Sequence, residues 1–310
     1  EMNTTKNWRR DFLRAFSKGQ IKQLVELSDA VDRLWERHIG QLRTIRKQTA
    51  SPLAVFGQEE RGSSARLTIE DKDRMYEQTI LSKEVRNSSP YRRLKLVMDY
   101  WCSLWFWPLE KSDLLPTREE FMLDLSLILR GNVLDVAENQ EGQMPLFPDT
   151  MPADEARKLV DEFGYVNVDH LCRQIPRLAL VQDLSQRYRF HHWELEFADI
   201  FVDQGGFDLV LGNPPWIKVE WEEGGVMGDA EPLFVLRGFS ASELAKKRDE
   251  MLERLHLKGA YLAAFEEAEG TQNFLNALQN YPLLKGMQTN VFKCFLPQAW
   301  MIGSPQGVSG

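Results

Sequence analysis

The stretch Phe207-Asp208-Leu209-Val210-Leu211-Gly212-Asn213-Pro214-Pro215-Trp216 concentrates more usable chemistry than any other part of the 310-residue chain. Its two prolines remove two amide donors and hold the backbone extended, leaving main-chain carbonyls free to accept hydrogen bonds. Asn213 adds a side-chain carbonyl, and Trp216 adds a flat aromatic face. Two oxygen acceptors beside an indole suit a planar ring bearing an exocyclic amino group. The plainer reading of the same residues is a proline-rich strand exit with a buried Trp, and the surrounding pattern favours the first.

That pattern is an α/β one. Phe207 to Leu211 is a short apolar run that predicts a buried strand, and its carboxyl end is where open α/β sheets place their sites. Tyr188 to Phe197 also has strand-like composition. Residues 222–232 read as an acidic, glycine-bearing loop, with Glu222-Glu223 in solvent. Ser240 and Glu243 cap a helical stretch running to about Glu269, and Gln288 to Ile302 reads as a helix containing Pro297. Pro305 to Gly310 reads as a turn followed by the start of a strand.

The first 187 residues are helical in pattern. Apolar residues recur at three- and four-residue spacing from Trp8 to Leu42. Ser51–Ser64 reads as a loop, Thr68 and Asp71 start a helix to about Lys83, and Thr117 with Glu120 forms a capping box. The aromatic segment Tyr91 to Trp107 reads as core packing in preference to a base-stacking platform. Gly131 stops a helix, Asn139–Pro152 is the best linker, Ala153–Phe163 is a helix, and Pro176 kinks or divides another over Val168–Arg187.

Composition narrows the function classes. Net charge is −8, but residues 1–50 hold 11 Lys and Arg against 6 Asp and Glu, while residues 191–310 hold 9 against 17. Only the first segment offers a basic surface, so charge argues weakly for nucleic acid. No apolar run has the length of a membrane span and no secretory signal is visible, so a cytoplasmic protein without membrane contact is expected. Three scattered cysteines argue against a disulfide framework, and no metal site is expected. His191-His192 would point to opposite faces of a strand and read as structural. Nucleophile, phosphate-loop and zinc-protease motifs are missing.

The strand followed by Asn213-Pro214-Pro215-Trp216 resembles the adenine-N6 DNA methyltransferases, whose motif is Asn/Asp-Pro-Pro-Tyr/Phe/Trp. The nearest likeness is to the long methylase polypeptides of type IIG restriction–modification and related phage-defence systems. His192-Trp193-Glu194-Leu195-Glu196-Phe197 resembles that family's approach to the motif, and Asn290-Val291-Phe292-Lys293-Cys294-Phe295 with Pro305-Gln306-Gly307 resembles its next helix and turn. The likeness covers about residues 188–310.

What the resemblance implies is specific. Asn213 Oδ1 and the Pro214 carbonyl would accept hydrogen bonds from the amino group of an adenine flipped out of double-stranded DNA, with Pro215 shaping the loop and Trp216 stacking on the base. The methyl would come from S-adenosyl-L-methionine. Asp199 matches the acidic residue that binds the cofactor's adenine, and Phe295 would pack against the cofactor.

The family's glycine-rich cofactor loop cannot be placed, because Gly205-Gly206 and Gly224-Gly225 sit in the wrong positions. The chain therefore reads as a fragment whose cofactor-binding segment lies elsewhere in the same polypeptide, inactive by itself. Its expected architecture is a helical insertion or spacer over 1–187 and a partial Rossmann-like methyltransferase sheet over 188–310. The rival readings are an amino-methyltransferase acting on protein glutamine or ribosomal-RNA guanine, and a non-catalytic DNA- or partner-binding module.

Overall fold

A computed structural model describes residues 2–50, 67–76, 89–130, 167–254, 256–287 and 290–310. The loop expected at 51–64, the Gly131 stop, the linker at 139–152, the helix at 153–163 and the later part of the helix expected from Thr68 to Lys83 lie outside the described residues. The chain forms two compact units. One, mostly helical, comprises Phe12–Tyr100 and Pro116–Gly205; the other, bearing the sheet, comprises Glu1–Asp11, Trp101–Leu115 and Gly206–Gly310.

The helical unit is organised on α2 (Lys18–Thr49), which follows α1 (Met2–Phe12). Ser17 and Gln20 close a reciprocal capping box: Gln20 N donates to Ser17 Oγ over 3.2 Å and Ser17 N to Gln20 Oε1 over 3.0 Å. A short α3 (Ile69–Tyr76) starts where Asp71 N donates to Thr68 Oγ1 over 3.1 Å. Helices α4 (Pro90–Ser103) and α5 (Arg118–Arg130) follow. The expected box at Thr117 and Glu120 is present, with Glu120 N on Thr117 Oγ1 and Thr117 N on Glu120 Oε2. Pro176 divides its helix into α6 (Val168–Gln174) and α7 (Pro176–Tyr188). Leu34, Tyr100, Met122, Ile128, Leu178 and Val181 fill the core.

Charged groups inside this unit are satisfied as clusters, as burial demands. Asp99 accepts from His192 Nε2 at 2.8 Å, Ser185 Oγ at 2.7 Å and Lys95 Nζ at 2.8 Å. Asp124 accepts from Tyr100 Oη at 2.8 Å and from Arg177 Nη2 at 2.9 Å.

The strand expected over Tyr188–Phe197 is not formed. Arg189 takes a left-handed conformation (φ 52°, ψ 52°) that ends α7, and His192 precedes the single turn α8 (Trp193–Glu196). The two histidines consequently do not alternate across a strand: His192 is buried on Asp99, while exposed His191 sets its ring edge-on to Trp193 at 4.6 Å. Helix α9 (Ala198–Gln204) then ends at Gly205, also left-handed.

In the sheet-bearing unit, β1 (Phe207–Val210) pairs in parallel with β2 (Gly303–Ser309), with Leu209 opposite Val308. This is the α/β feature the sequence implies, and the described residues are otherwise mostly helical. The expectation of a buried strand is overturned: Leu209 is 58% and Leu211 71% exposed. Residues 222–232 are not a loop either. They form α10 (Glu223–Ala230), leading to α11 (Leu233–Arg237). Glu223 is not a solvated loop carboxylate, because it joins Arg248 Nη2 at 2.9 Å and Tyr261 Oη at 2.9 Å.

The stretch from Ser240 is two helices, α12 (Ala241–Arg254) and α13 (Lys258–Asn276), instead of one. Met227, Met251, Leu252 and Tyr261 form the core of this part, with Trp221 packed on it. Trp105 and Phe106 of the aromatic segment pack here, while Trp101 is exposed. A Cβ on Gly270 of α13 would meet Phe106 Cδ1 at 2.7 Å, and Trp105 meets Phe274 edge-on at 6.0 Å. The expected helix over Gln288–Ile302 is α14 (Val291–Ile302), which carries Pro297 and runs into β2.

Candidate functional site

The site grows from the end of β1. Gly310 N donates to Val210 O over 3.0 Å and Gly212 N to Gly310 O over 3.1 Å, so pairing with the β2 end persists up to Gly212. It must stop there, because Pro214 and Pro215 have no N–H to offer a ladder. The chain leaves the sheet as an extended loop and is caught again at Ile217, whose carbonyl accepts from Val291 N at 3.0 Å. Residues 213–216 thus span the gap between the strand end and the start of α14.

Asn213 is exposed, and its side chain has no hydrogen-bond partner among the described residues. Both its amide oxygen and the loop carbonyls are available to an incoming donor. Trp216 is 78% exposed, which overturns the buried-Trp reading of the motif. Its indole is nevertheless not loose: it stacks on Phe292 with ring centroids 4.7 Å apart and planes 23° apart. Phe292 sits in the first turn of α14, where Asn290 is the cap and Phe292 N donates to Asn290 Oδ1 over 3.3 Å. Phe295 lies three residues further along the same helix face and is 46% exposed.

Asp199 belongs to the helical unit. It opens α9, and its carboxylate is buried against Arg46 of α2, with Oδ1 2.9 Å from Nη2 and a second contact from Nε to Oδ2. Burial pushes this carboxyl up, but the Arg46 guanidinium outweighs that and holds it below the usual carboxylate range. The structure therefore brings Trp216 together with α14, the helix that carries Phe295, and gives Asp199 an arginine partner. Neither Phe292 as a support nor Arg46 as a counter-ion was assigned from sequence. Phe292 shares a helix face with Phe295, but no local signal ties it to Trp216, and Arg46 is 153 positions from Asp199 and equally without one.

Residues 99–251 match the family model of the Eco57I restriction-modification methylase. The match supports a DNA methyltransferase of the restriction–modification kind. It contains Asn213–Trp216 and Asp199 but not Phe295, and it reaches upstream into the helical region as far as residue 99. No curated protein and no solved structure matches the chain. Among the described residues no helix is long and apolar enough to cross a membrane.

Proposed function

We propose that this chain carries the target-base half of an S-adenosylmethionine-dependent, adenine-N6-specific DNA methyltransferase of the type IIG or phage-defence kind. The single observation behind this reading is an exposed Asn213-Pro214-Pro215-Trp216 loop at the carboxyl end of a parallel strand, lying inside the methylase match. Asn213 Oδ1 and the Pro214 carbonyl each accept a hydrogen bond from one N–H of the adenine amino group. Those bonds draw the nitrogen lone pair out of ring conjugation and aim it for in-line displacement, in which the cofactor's thioether would be the leaving group and the methylated nitrogen would release one proton to water, so positioning replaces a strong base. Pro215 keeps the loop extended. The open face of Trp216 covers the flipped base.

S-adenosylmethionine, when bound, supplies the electrophilic methyl. The half-exposed Phe295 ring suits a flat contact with it. Asp199, in the helical unit, suits a cofactor contact only while sharing its carboxylate with Arg46.

The test is methyl transfer by the full-length protein from labelled S-adenosylmethionine to unmethylated duplex DNA, to ribosomal RNA and to protein, with the products resolved by mass spectrometry. N6-methyladenine in DNA supports the reading. Label confined to protein glutamine or RNA guanine, or label nowhere, overturns it.

A further inference from the structure

The Trp216 indole has two faces, and Phe292 occupies one of them. The loop that carries the indole is tied at Gly212 and at Ile217, but Pro214 and Pro215 between those ties offer no N–H to fix it. An exposed Trp on such a loop has several staggered side-chain rotamers open to it. A flat ring packed against one face favours the rotamer that keeps the stack and leaves the opposite face open. Phe292 is itself held in place, because its backbone sits in the capped first turn of α14 and its neighbour Val291 makes the hydrogen bond to Ile217 O.

We infer that Phe292 is a positioning residue that presets the Trp216 indole to receive the target base. The inference rests on the proposed function and adds to it a residue that never touches the reacting atoms. Its contribution is preorganisation, so it acts on the rate at which bound DNA reacts. DNA affinity is carried largely by phosphate contacts and is little affected.

The experiment compares kcat and the KM for unmethylated duplex DNA in the full-length protein for wild type, Trp216→Ala, Phe292→Ala, Phe292→Leu, Phe292→Tyr and the Trp216→Ala/Phe292→Ala pair. Phe292→Ala and Phe292→Leu are expected to lower kcat by about 10- to 100-fold, with KM for DNA within about threefold of wild type. Phe292→Tyr, which keeps a ring face, restores kcat to within about threefold. The double variant is expected to be no slower than Trp216→Ala alone, since the support has nothing left to hold.

Wild-type kcat in Phe292→Leu, or a loss that multiplies with that of Trp216→Ala, overturns the inference. Asn213→Ala separates the two claims. If it is inactive while Phe292→Leu is unimpaired, only the Phe292 role fails; if it keeps the wild-type rate, the proposed function fails and this inference falls with it.

Discussion

Arg46 and Asp199, 153 positions apart, form an ion pair that joins α2 to α9, with the carboxylate buried and the guanidinium about half exposed. Removing the arginine leaves an ionised carboxylate in a dry setting, where it is costly. Arg46→Ala is expected to lower unfolding free energy by about 2 kcal/mol, discounted for the exposed partner. Chemical denaturation of the chain checks this. The Asp199 carboxyl is lowered in the folded state, so its contribution is present above the unfolded value and fades as pH falls below about 4. The Arg46→Ala difference should therefore shrink in acid, and a difference independent of pH would contradict the pairing.

The Asp99 cluster gives a larger effect. Burial pushes its carboxyl up, yet the bonds from His192, Lys95 and Ser185 prevail and hold it low. Asp99→Ala strips the shared acceptor from three buried or half-buried donors, and about 3 kcal/mol of destabilisation is expected. The sign of the pH dependence is the same: the stabilisation is complete above about pH 4 and is lost below it. Thermal melts of wild type and variant from pH 3 to 7 would show the gap closing at the acid end. Equal melting temperatures at pH 7 would contradict the cluster's role.

Gly206 makes the sheet possible. At φ +137° it occupies backbone space that side chains avoid, and a Cβ there would lie 2.5 Å from Ile302 O and 2.7 Å from Gly303 C. Gly206→Ala has to push β1 away from the start of β2, at a cost of about 3 kcal/mol. Hydrogen exchange at Gly212 and Gly310, whose amides close the strand pair, should accelerate in the variant while amides of α7 stay protected. Unchanged exchange at both glycines would contradict the pairing.

Glu223 ties α10 to α12 and α13 through Arg248 and Tyr261. Burial raises the Tyr261 hydroxyl to about 12, with the bond to Glu223 adding to it. Tyr261→Phe is expected to cost about 1.5 kcal/mol, the lower end for a hydrogen bond to a charged acceptor. Spectrophotometric titration offers a second check: the tyrosine transition that disappears in Tyr261→Phe should move to lower pH in Glu223→Gln, and an unmoved transition would contradict the bond.

Local rules made much of this architecture legible, and the failures have physical causes. The capping box at Thr117, the helix starts at Thr68 and Ser240 and the break at Pro176 were readable because each is settled within a few residues. Tyr188–Phe197 has the aromatic content of a strand, but left-handed Arg189 and the buried bond from His192 to Asp99, 93 positions away, turn it into a helix end and a single turn. Residues 222–232 look like an acidic loop until Met227 finds Met251 and Tyr261, and Glu223 finds Arg248, and the pairings make a helix of it. The Asn213–Trp216 loop was legible because prolines act on their own backbone. Its support by Phe292 was not, since two rings 76 positions apart meet only after β1, β2 and α14 have assembled.

The central claim is that an oxygen at position 213 accepts a hydrogen bond from the amino group of a flipped adenine. The most direct measurement is N6-methyladenine formed in unmethylated duplex DNA by the full-length protein, compared among wild type, Asn213→Asp and Asn213→Ala. Aspartate keeps an acceptor oxygen, so activity within about tenfold of wild type is expected, while alanine loses at least about 100-fold. Wild-type methylation by Asn213→Ala would contradict the account.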